Sequence, residues 1–286
     1  MNNRLSLLLL MVNISVLVSY SQVNNVVVWG SGGYSSFIKD ANNLTSVGNI
    51  GTEIGIGYEL AIDKFIIQTG VGYQYLNASL QMPDSLHSLM MMDSEQDIYR
   101  GYFLFAKNND LYQMGNLTIP LLLGLKFDKF YFLAGMKMAM NMSAKSTHQS
   151  TITSTADYIQ FIDIFENMPN HGYHTYKEKH SFPIKFSPSY AASVEFGYLH
   201  KPKNKSLISY RIAAFANYGI NNINTENAKS KDLILNANNE TYFPYLNSLL
   251  LLQDYKNQTF SPLFTGVKLS VVFGIRKHVC IVCDYF

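Results

Sequence analysis

Residues 48–60 read GNIGTEIGIGYEL, and their two-residue alternation decides the fold class. Mostly apolar side chains, among them Ile50, Ile54 and Tyr58, occupy every second position, whereas glycines and the acidic Glu53 and Glu59 occupy positions between them. Because successive side chains of a β-strand point to opposite faces, the pattern predicts a strand with one apolar wall and one wall of glycine and charge.

The same pattern returns along the chain in unusually long runs. After a turn at Asp63 and Lys64, residues 65–75 read FIIQTGVGYQY and alternate again. Strands of soluble sheets are usually about 5–6 residues long, whereas strands that cross a bilayer need about 9–11. Repeated long alternating runs are typical of outer-membrane barrels, so we predict that these strands span a membrane.

The predicted fold class is all-β, a transmembrane antiparallel up-and-down β-barrel of eight strands with long extracellular loops. Short turns on one side and long loops on the other are typical of such barrels. Ten strands, with part of Thr147–Phe186 paired at the rim, and a soluble β-sandwich or lipocalin-like binder are the alternatives. The predicted strands are Val26–Ile38, Asn49–Leu60, Lys64–Leu80, Gly115–Phe127, Phe130–Ser146, Ser189–Leu199, Ser206–Asn221 and Leu263–Lys277. The predicted long loops are Gln81–Met114, Thr147–Pro188 and Asn222–Pro262.

Residues 1–21 are predicted to form a secretory signal peptide. Met1–Arg4 is short and basic, Leu5–Tyr20 is largely apolar, and small residues precede a cleavage site after Ser21. The alternative is an N-terminal membrane anchor, but the apolar run is shorter than the roughly 20 residues that a spanning helix needs. Residues 22–286 are then the barrel domain, and the predicted location is the cell outer membrane.

The composition agrees with a membrane barrel. Charged residues make up 15% of the chain and aromatic residues 14%, whereas about 25% of residues are charged in soluble domains. A net charge of +2 gives no reason to expect a nucleic-acid partner. The predicted partners are outer-membrane lipids, the barrel-insertion machinery and other envelope proteins, with the protein a monomer. No cofactor is predicted.

Charged residues on the inward face form the predicted site. The interior of an eight-stranded barrel is narrow and filled by side chains, and buried charges are costly unless they are paired. We therefore predict a network of salt bridges that closes the lumen, and the alternative is a narrow conduction path or a gate. Its members are Glu53, Lys137, Glu195, Arg211 and Lys268, and Glu195 and Arg211 fall on neighbouring strands of one hairpin.

The histidines and cysteines give weaker signals. All seven histidines are expected in loops, in a turn or at the end of the chain. A catalytic nucleophile needs an adjacent base, and none is expected at the rim, so the protein is predicted not to be an enzyme. His171, His174 and His180 are weak metal candidates in a loop, and no metal site is predicted, because such a site needs three or four converging ligands. Cys280 and Cys283 are expected to form a local disulfide or to remain free thiols.

Four short segments resemble a known family. They read GGYSS at 32–36, GIGYE at 55–59, GVGY at 70–73 and LTIPLLLG at 117–124. They are similar to the outer membrane β-barrel domain common in Bacteroidetes, a family of PorT-like and OmpA-like eight-stranded barrels. The resemblance covers the strands and not the long loops. It implies an integral outer-membrane protein, with no catalytic set carried over.

The preferred interpretation of the sequence is a barrel that presents long surface loops for binding or for envelope assembly. The first alternative is a PorT-like barrel associated with secretion or transport, as the family resemblance implies. A lipid-modifying barrel enzyme is the third and least favoured interpretation.

Overall fold

A computed structural model gives the fold. It describes residues 22–40, 43–93, 95–158, 160, 163–166, 168, 173–202, 207–224, 233–238, 241–251 and 258–275. The predicted signal peptide and the pair Cys280 and Cys283 lie outside these residues. Within the described ranges, no helix has the length and apolar character needed to cross a membrane.

The described residues are almost entirely β-structure, and their strands pair antiparallel, which confirms the predicted all-β class. The strands are β1 Gln22–Lys39, β2 Thr45–Ile62, β3 Phe65–Met82, β4 Ser85–Met92, β5 Ile98–Phe127, β6 Phe130–Tyr158, β7 Asp163–Phe165, β8 Thr175–Pro183, β9 Ser189–His200, β10 Ile208–Gly219, β11 Leu233–Asn238, β12 Thr241–Leu246 and β13 Phe260–Ile275. Eleven of them form one sheet, and β11 and β12 form a separate hairpin.

The large sheet closes on itself. β1 pairs on one side with β2 and on the other with β13, so that Gly32 lies opposite both Thr52 and Val267. The ring continues from β2 through β3, β5, β6, β9 and β10 back to β13. The strands of this ring follow one another in chain order, which is the up-and-down arrangement.

The alternation that the sequence shows becomes the two walls of the ring. Ile50 and Ile54 are 73% and 67% exposed on the outside, whereas Glu53 is 2% exposed on the inside. Gly55 is also on the inner wall, where a Cβ would lie 2.3 Å from the indole of Trp29. Glycine at this position therefore leaves room for the one tryptophan of the chain.

Tight turns join the ring strands at one end. Asp63 and Asp128 each begin a two-residue turn with φ of 52°. Aspartate tolerates this left-handed conformation better than most residues do, and hairpin turns require it. The strands connected in this way stay in register, for example Ile62 opposite Phe65 and Phe127 opposite Phe130.

At the other end, two of the three predicted long loops are largely strands, which corrects that expectation. β5 and β6 have 30 and 29 residues and continue as a hairpin beyond their ring neighbours. β4 pairs with the far part of β5, and β7 and β8 pair with the far part of β6. The sheet therefore has eleven strands rather than eight or ten, because these three add to the ring. We call β4, β7, β8 and the far parts of β5 and β6 the projecting sheet.

Two register shifts interrupt the alternation of β5 and β6. In the pairing of these two strands, β5 has one extra residue between Ala106 and Asn109, and β6 has one extra residue between Asn141 and Ser143. Each extra residue moves the side chains that follow it in that strand to the opposite face. The two-residue period is therefore broken in the sequence although the strand continues.

Candidate functional site

The five residues of the predicted lumenal network all lie inside the ring and are buried. Their side chains come from β2, β6, β9, β10 and β13 and point toward the barrel axis. The exposed fraction is at most 11% for any of them: Glu53, Lys137, Glu195, Arg211 and Lys268. The ring brings them together in three ion pairs, and one of these includes a residue that the predicted set lacks.

The first ion pair joins Lys137 on β6 to Glu53 on β2 across the lumen. The Lys137 Nζ atom lies 2.9 Å from Oε2 and 3.2 Å from Oε1 of Glu53. Thr118 and Gln74 donate further hydrogen bonds to the same carboxylate, at 3.2 and 3.3 Å. A buried carboxylate with this many donors has its charge compensated, which offsets its loss of hydration.

The second ion pair joins Lys268 on β13 to Glu195 on β9. The Lys268 Nζ atom lies 2.7 Å from Oε2 of Glu195, and the Tyr131 hydroxyl donates to Oε1 at 2.5 Å. The Lys268 ammonium also lies 5.1 Å from the ring centre of Trp29, which adds a cation–π contact.

The third ion pair includes Glu59, which the predicted set lacks. Arg211 does not pair with Glu195 of its own hairpin but with Glu59 on β2, in a bidentate contact with Nη2 to Oε1 at 2.8 Å. Asn25 donates to the same carboxylate at 2.9 Å. The reason is register: Arg211 lies opposite Leu199, whereas Glu195 lies opposite Phe215. In a narrow ring, the Arg211 side chain reaches a carboxylate across the barrel axis more easily than one that lies four residues away along the neighbouring strand.

Little space is left around these charges. The cavity between Trp29, Glu53, Lys137, Glu195 and Lys268 measures about 10 Å³, which is close to the least volume that holds one water molecule. Apolar clusters fill the ring on both sides of the charged layer. On the side of the tight turns the cluster contains Ile66, Leu122, Tyr131, Leu133, Leu199 and Ala213. On the other side a larger cluster includes Phe37, Leu76, Tyr112, Phe186, Phe215, Leu249, Phe260 and Phe264.

A second buried polar group lies where the projecting sheet leaves the ring, and sequence reasoning missed it. The carboxylate of Asp110 on β5 is completely buried and contacts the ring nitrogen Nδ1 of His148 on β6. Its other oxygen accepts hydrogen bonds from the Tyr112 hydroxyl at 2.7 Å, from Ser248 Oγ at 3.0 Å and from the backbone N–H of Leu249 at 2.6 Å.

These contacts anchor the segment Leu246–Leu251 in the mouth of the barrel. The backbone N–H of Leu250 donates to the Tyr112 hydroxyl at 3.2 Å, so Asp110 and Tyr112 together hold successive residues of the segment. Burial and the neighbouring carboxylate raise the pKa of the Tyr112 hydroxyl well above its ordinary value, and the hydroxyl therefore stays protonated. We call Asp110, Tyr112, Ser146, His148 and Ser248 the mouth cluster, and Asp110 is its central acceptor.

His148 corrects the expectation that every histidine would lie in a loop, a turn or the chain end. Its side chain is 1% exposed, within β6, and its Nε2 atom is buried without a hydrogen-bond partner among the described residues. A histidine oriented by a carboxylate, with hydroxyls of Ser146 and Ser248 near the same carboxylate, contains the group types of a base-assisted nucleophile. The signal was hidden because Asp110 and His148 lie 38 residues apart and meet only through the β5–β6 register.

The weak metal candidates do not form a group in the described chain. His180 is on β8 and contacts Glu178, and His174 packs beside Tyr176. His171 lies outside the described residues. Among the residues that the structure describes, no three histidine, cysteine or acidic side chains converge as metal ligands would.

Comparison with known proteins gives structures but no family. No protein-family model matches the chain, and no curated protein matches it. One similar structure is Ail, the attachment invasion locus protein of Yersinia pestis, in complex with the heparin analogue sucrose octasulfate: it is 9% identical with a TM-score of 0.24, over 88% of this chain and 99% of that one. Another is the outer membrane protease OmpT from Escherichia coli, 10% identical with a TM-score of 0.30, over 90% and 98%. At such identities and scores the likeness gives no information about activity or ligand.

The prediction that the chain is not an enzyme is wrong as it was made. OmpT, one of the structures to which the chain is similar, is an outer membrane protease. The argument behind the prediction fails on the structure itself, because it placed all histidines in solvent, whereas His148 is buried against Asp110.

Removing one charge of the lumenal network should destabilise the barrel. In Glu53→Gln, the Lys137 ammonium stays buried without its counter-charge, and we expect a loss of about 3–5 kcal/mol in the free energy of unfolding. The measurement is urea unfolding of the folded protein in detergent. The double variant with Lys137→Met should recover more than half of the loss. Lys64→Gln, in an exposed turn, is the control, and a loss as large in that variant would contradict the interpretation.

Removing the central acceptor of the mouth cluster should release Leu246–Leu251 while the ring stays folded. In Asp110→Ala, the backbone N–H of Leu249 loses its acceptor, and an unsatisfied buried group costs about 1–3 kcal/mol. Amide hydrogen exchange at Leu249 and Leu250 should accelerate about tenfold or more. Asp84→Ala removes an exposed carboxylate that accepts from the backbone of Lys107 and should leave these amides unchanged. Equal exchange in both variants would refute the anchoring role.

Proposed function

We propose that the protein is an integral outer-membrane barrel that crosses the bilayer with the eight strands of its ring, keeps its lumen closed, and presents the projecting sheet as a binding surface at the cell exterior. The proposal rests on one observation: the positions of polar and apolar side chains are the reverse of those in a soluble protein. The ion pairs and polar groups are inside the ring, and the exposed outside is apolar, whereas a soluble protein rarely exposes an apolar surface of this extent.

The outer surface has the layers of a membrane barrel. Exposed aromatic side chains lie toward both ends of the ring, and aliphatic side chains lie between them. On strand β2, Ile50, which lies opposite Tyr34 of the upper row, is eight positions from Tyr58 of the lower row. This spacing gives an apolar band of about 20 Å after the usual strand tilt. The lower aromatic residues are Tyr58, Phe65, Phe127, Phe130, Phe196, Tyr210 and Phe273, and the upper ones are Tyr34, Tyr73, Tyr75, Tyr190 and Tyr218.

Polar residues mark the upper boundary of this band. Asn77, Gln81, Gln113, Lys145 and Gln149 follow the upper aromatic row on β3, β5 and β6. The projecting sheet begins beyond them, on the end opposite the tight turns. Because short turns face the periplasm in outer-membrane barrels, we propose that the projecting sheet lies outside the cell.

A closed lumen favours binding over transport as the role of the barrel. The cavity beside the ion pairs of Glu53 with Lys137 and of Glu195 with Lys268 measures only about 10 Å³, which supports a lumen that is closed at this level. The resemblance to the Bacteroidetes barrel domain supports an envelope role of this kind. The PorT-like alternative, a secretion-associated barrel, is compatible with the proposal if the protein acts by binding other components rather than by conducting.

Among the strands that the structure describes, β4 pairs on one side only, and its other edge is the part of the projecting sheet best suited to binding. Its sequence, SLHSLMMM, contains no charged residue and no proline, and Leu86, Met90 and Met92 are exposed. β8 is on the opposite side of the sheet and carries Lys177, Glu178, Lys179 and Pro183, which protect a sheet edge from further pairing. The unprotected edge favours addition of an extended, alternating strand from another envelope protein.

The membrane proposal predicts two results for the full chain. The protein should fractionate with the outer membrane and migrate differently on gels before and after boiling, because a closed barrel resists detergent. Reconstituted into planar bilayers, it should give no stable open-channel current. A soluble periplasmic product with no mobility shift would refute the membrane location, and a stable conductance would refute the closed lumen while leaving the location intact.

The binding proposal predicts that one sheet edge is occupied in cells. A photo-crosslinking amino acid in place of Ser88 on β4 should capture an envelope protein, and the same substitution at Lys177 on β8 should not. Adding Met90→Lys should reduce the Ser88 product several-fold, because an edge charge opposes strand addition. Equal capture at both positions, or none at Ser88, would overturn β4 as the binding edge.

A further inference from the structure

The ring opens at its tight-turn end into a vestibule with a volume of about 560 Å³. Its walls are the ends of the ring strands, and they are apolar at Val23, Ile66 and Leu199. The lumenal ion pair of Arg211 and Glu59 forms its floor. It lies on the opposite side of the charged layer from the mouth cluster and the projecting sheet.

Cationic side chains outnumber acidic ones in the lining of this vestibule by three to two. Lys126, near the end of β5, and Lys201, just after β9, both line it, and their side chains are in contact with each other. Among the residues that the structure describes, neither ammonium forms a salt bridge with a carboxylate. Two ammonium groups in contact repel each other, and an anion between them would remove that repulsion.

The acidic groups of the vestibule do not supply that anion. Glu59 already accepts hydrogen bonds from Arg211 and Asn25. Asp63, the other acid that lines the vestibule, is exposed in the turn after β2. Neither carboxylate lies between the two lysines as a bridging group.

Arg211 adds a third cation at the floor of the vestibule. It is 6% exposed and its guanidinium is paired with Glu59. Because this pair compensates its own charges, the remaining charges that line the vestibule are those of Lys126, Lys201 and Asp63. The two lysines therefore leave an excess of positive charge, which a bound anion would balance.

We propose that this vestibule is a binding site for a phosphate group. A phosphate monoester has a charge of about −2 at neutral pH and three strong acceptor oxygens, which matches two ammonium groups better than a single carboxylate does. The apolar walls accommodate the group that carries the phosphate. The phosphate can belong to a soluble metabolite or to a lipid headgroup of the inner leaflet, and the experiment separates the two.

The test uses the full chain, folded in a zwitterionic detergent, with glycerol 3-phosphate as the soluble probe and nanodiscs with or without phosphatidylglycerol as the lipid probe. Binding is measured by calorimetry and by the urea midpoint. The Lys126→Gln and Lys201→Gln double variant should weaken binding tenfold or more, whereas Lys64→Gln, an exposed lysine at the same end, should leave it unchanged. Without ligand the double variant should be at least as stable as the parent, because it relieves the repulsion.

Each outcome decides the proposal. Saturable binding of glycerol 3-phosphate that depends on the two lysines supports a soluble ligand. Stabilisation only in nanodiscs with phosphatidylglycerol, lost in the double variant, supports a lipid headgroup. No binding in either arm, binding that the double variant retains, or binding that an equal ionic strength of sodium chloride abolishes would overturn the site. None of these results bears on the membrane location or on the edge of β4.

Discussion

The pairing of buried charges across a narrow ring is the interaction on which the rest of the structure depends. A ring closed by eight strands has an interior too narrow for water to solvate ions, so each inward charge needs a partner within the protein. Lys137 with Glu53, Lys268 with Glu195 and Arg211 with Glu59 meet this need by joining strands that are not neighbours in the ring. These contacts fix the cross-section of the barrel, which backbone hydrogen bonds between adjacent strands do not do alone.

In the mouth cluster, a buried negative charge is compensated in a different way. Asp110 is as deeply buried as the lumenal carboxylates, but its partners are His148, hydroxyls and backbone N–H groups rather than a lysine or arginine. It joins the base of the projecting sheet to the segment Leu246–Leu251, which lies over the apolar cluster of the mouth. The projecting sheet is therefore continuous with the ring through β5 and β6 and is also held at its base by side chains.

Side-chain period predicted the parts of the fold in which the backbone is regular. The alternation at residues 48–60 predicted both walls of β2 and the inward position of Glu53. The same alternation in the other predicted strands predicted the inward positions of Lys137, Glu195, Arg211 and Lys268. The partner of Arg211 was not predictable in this way, since a partner across the axis depends on barrel geometry rather than on spacing. Asp110 and His148 were not predicted because one register shift in β5 and one in β6 break the period, and the long connections therefore resembled loops.

The closure of the ring between β1 and β13 has a consequence for how the chain reaches its native state. Gly32 and Val267, which face each other across this seam, are separated by most of the chain. Contacts of such high sequence separation slow folding, and the seam forms only once the last strand is available. Until then β1 has an unpaired edge with alternating apolar residues. A chain in this unclosed state is prone to aggregation. A chain of this topology therefore exposes an aggregation-prone edge for as long as closure of the seam is delayed.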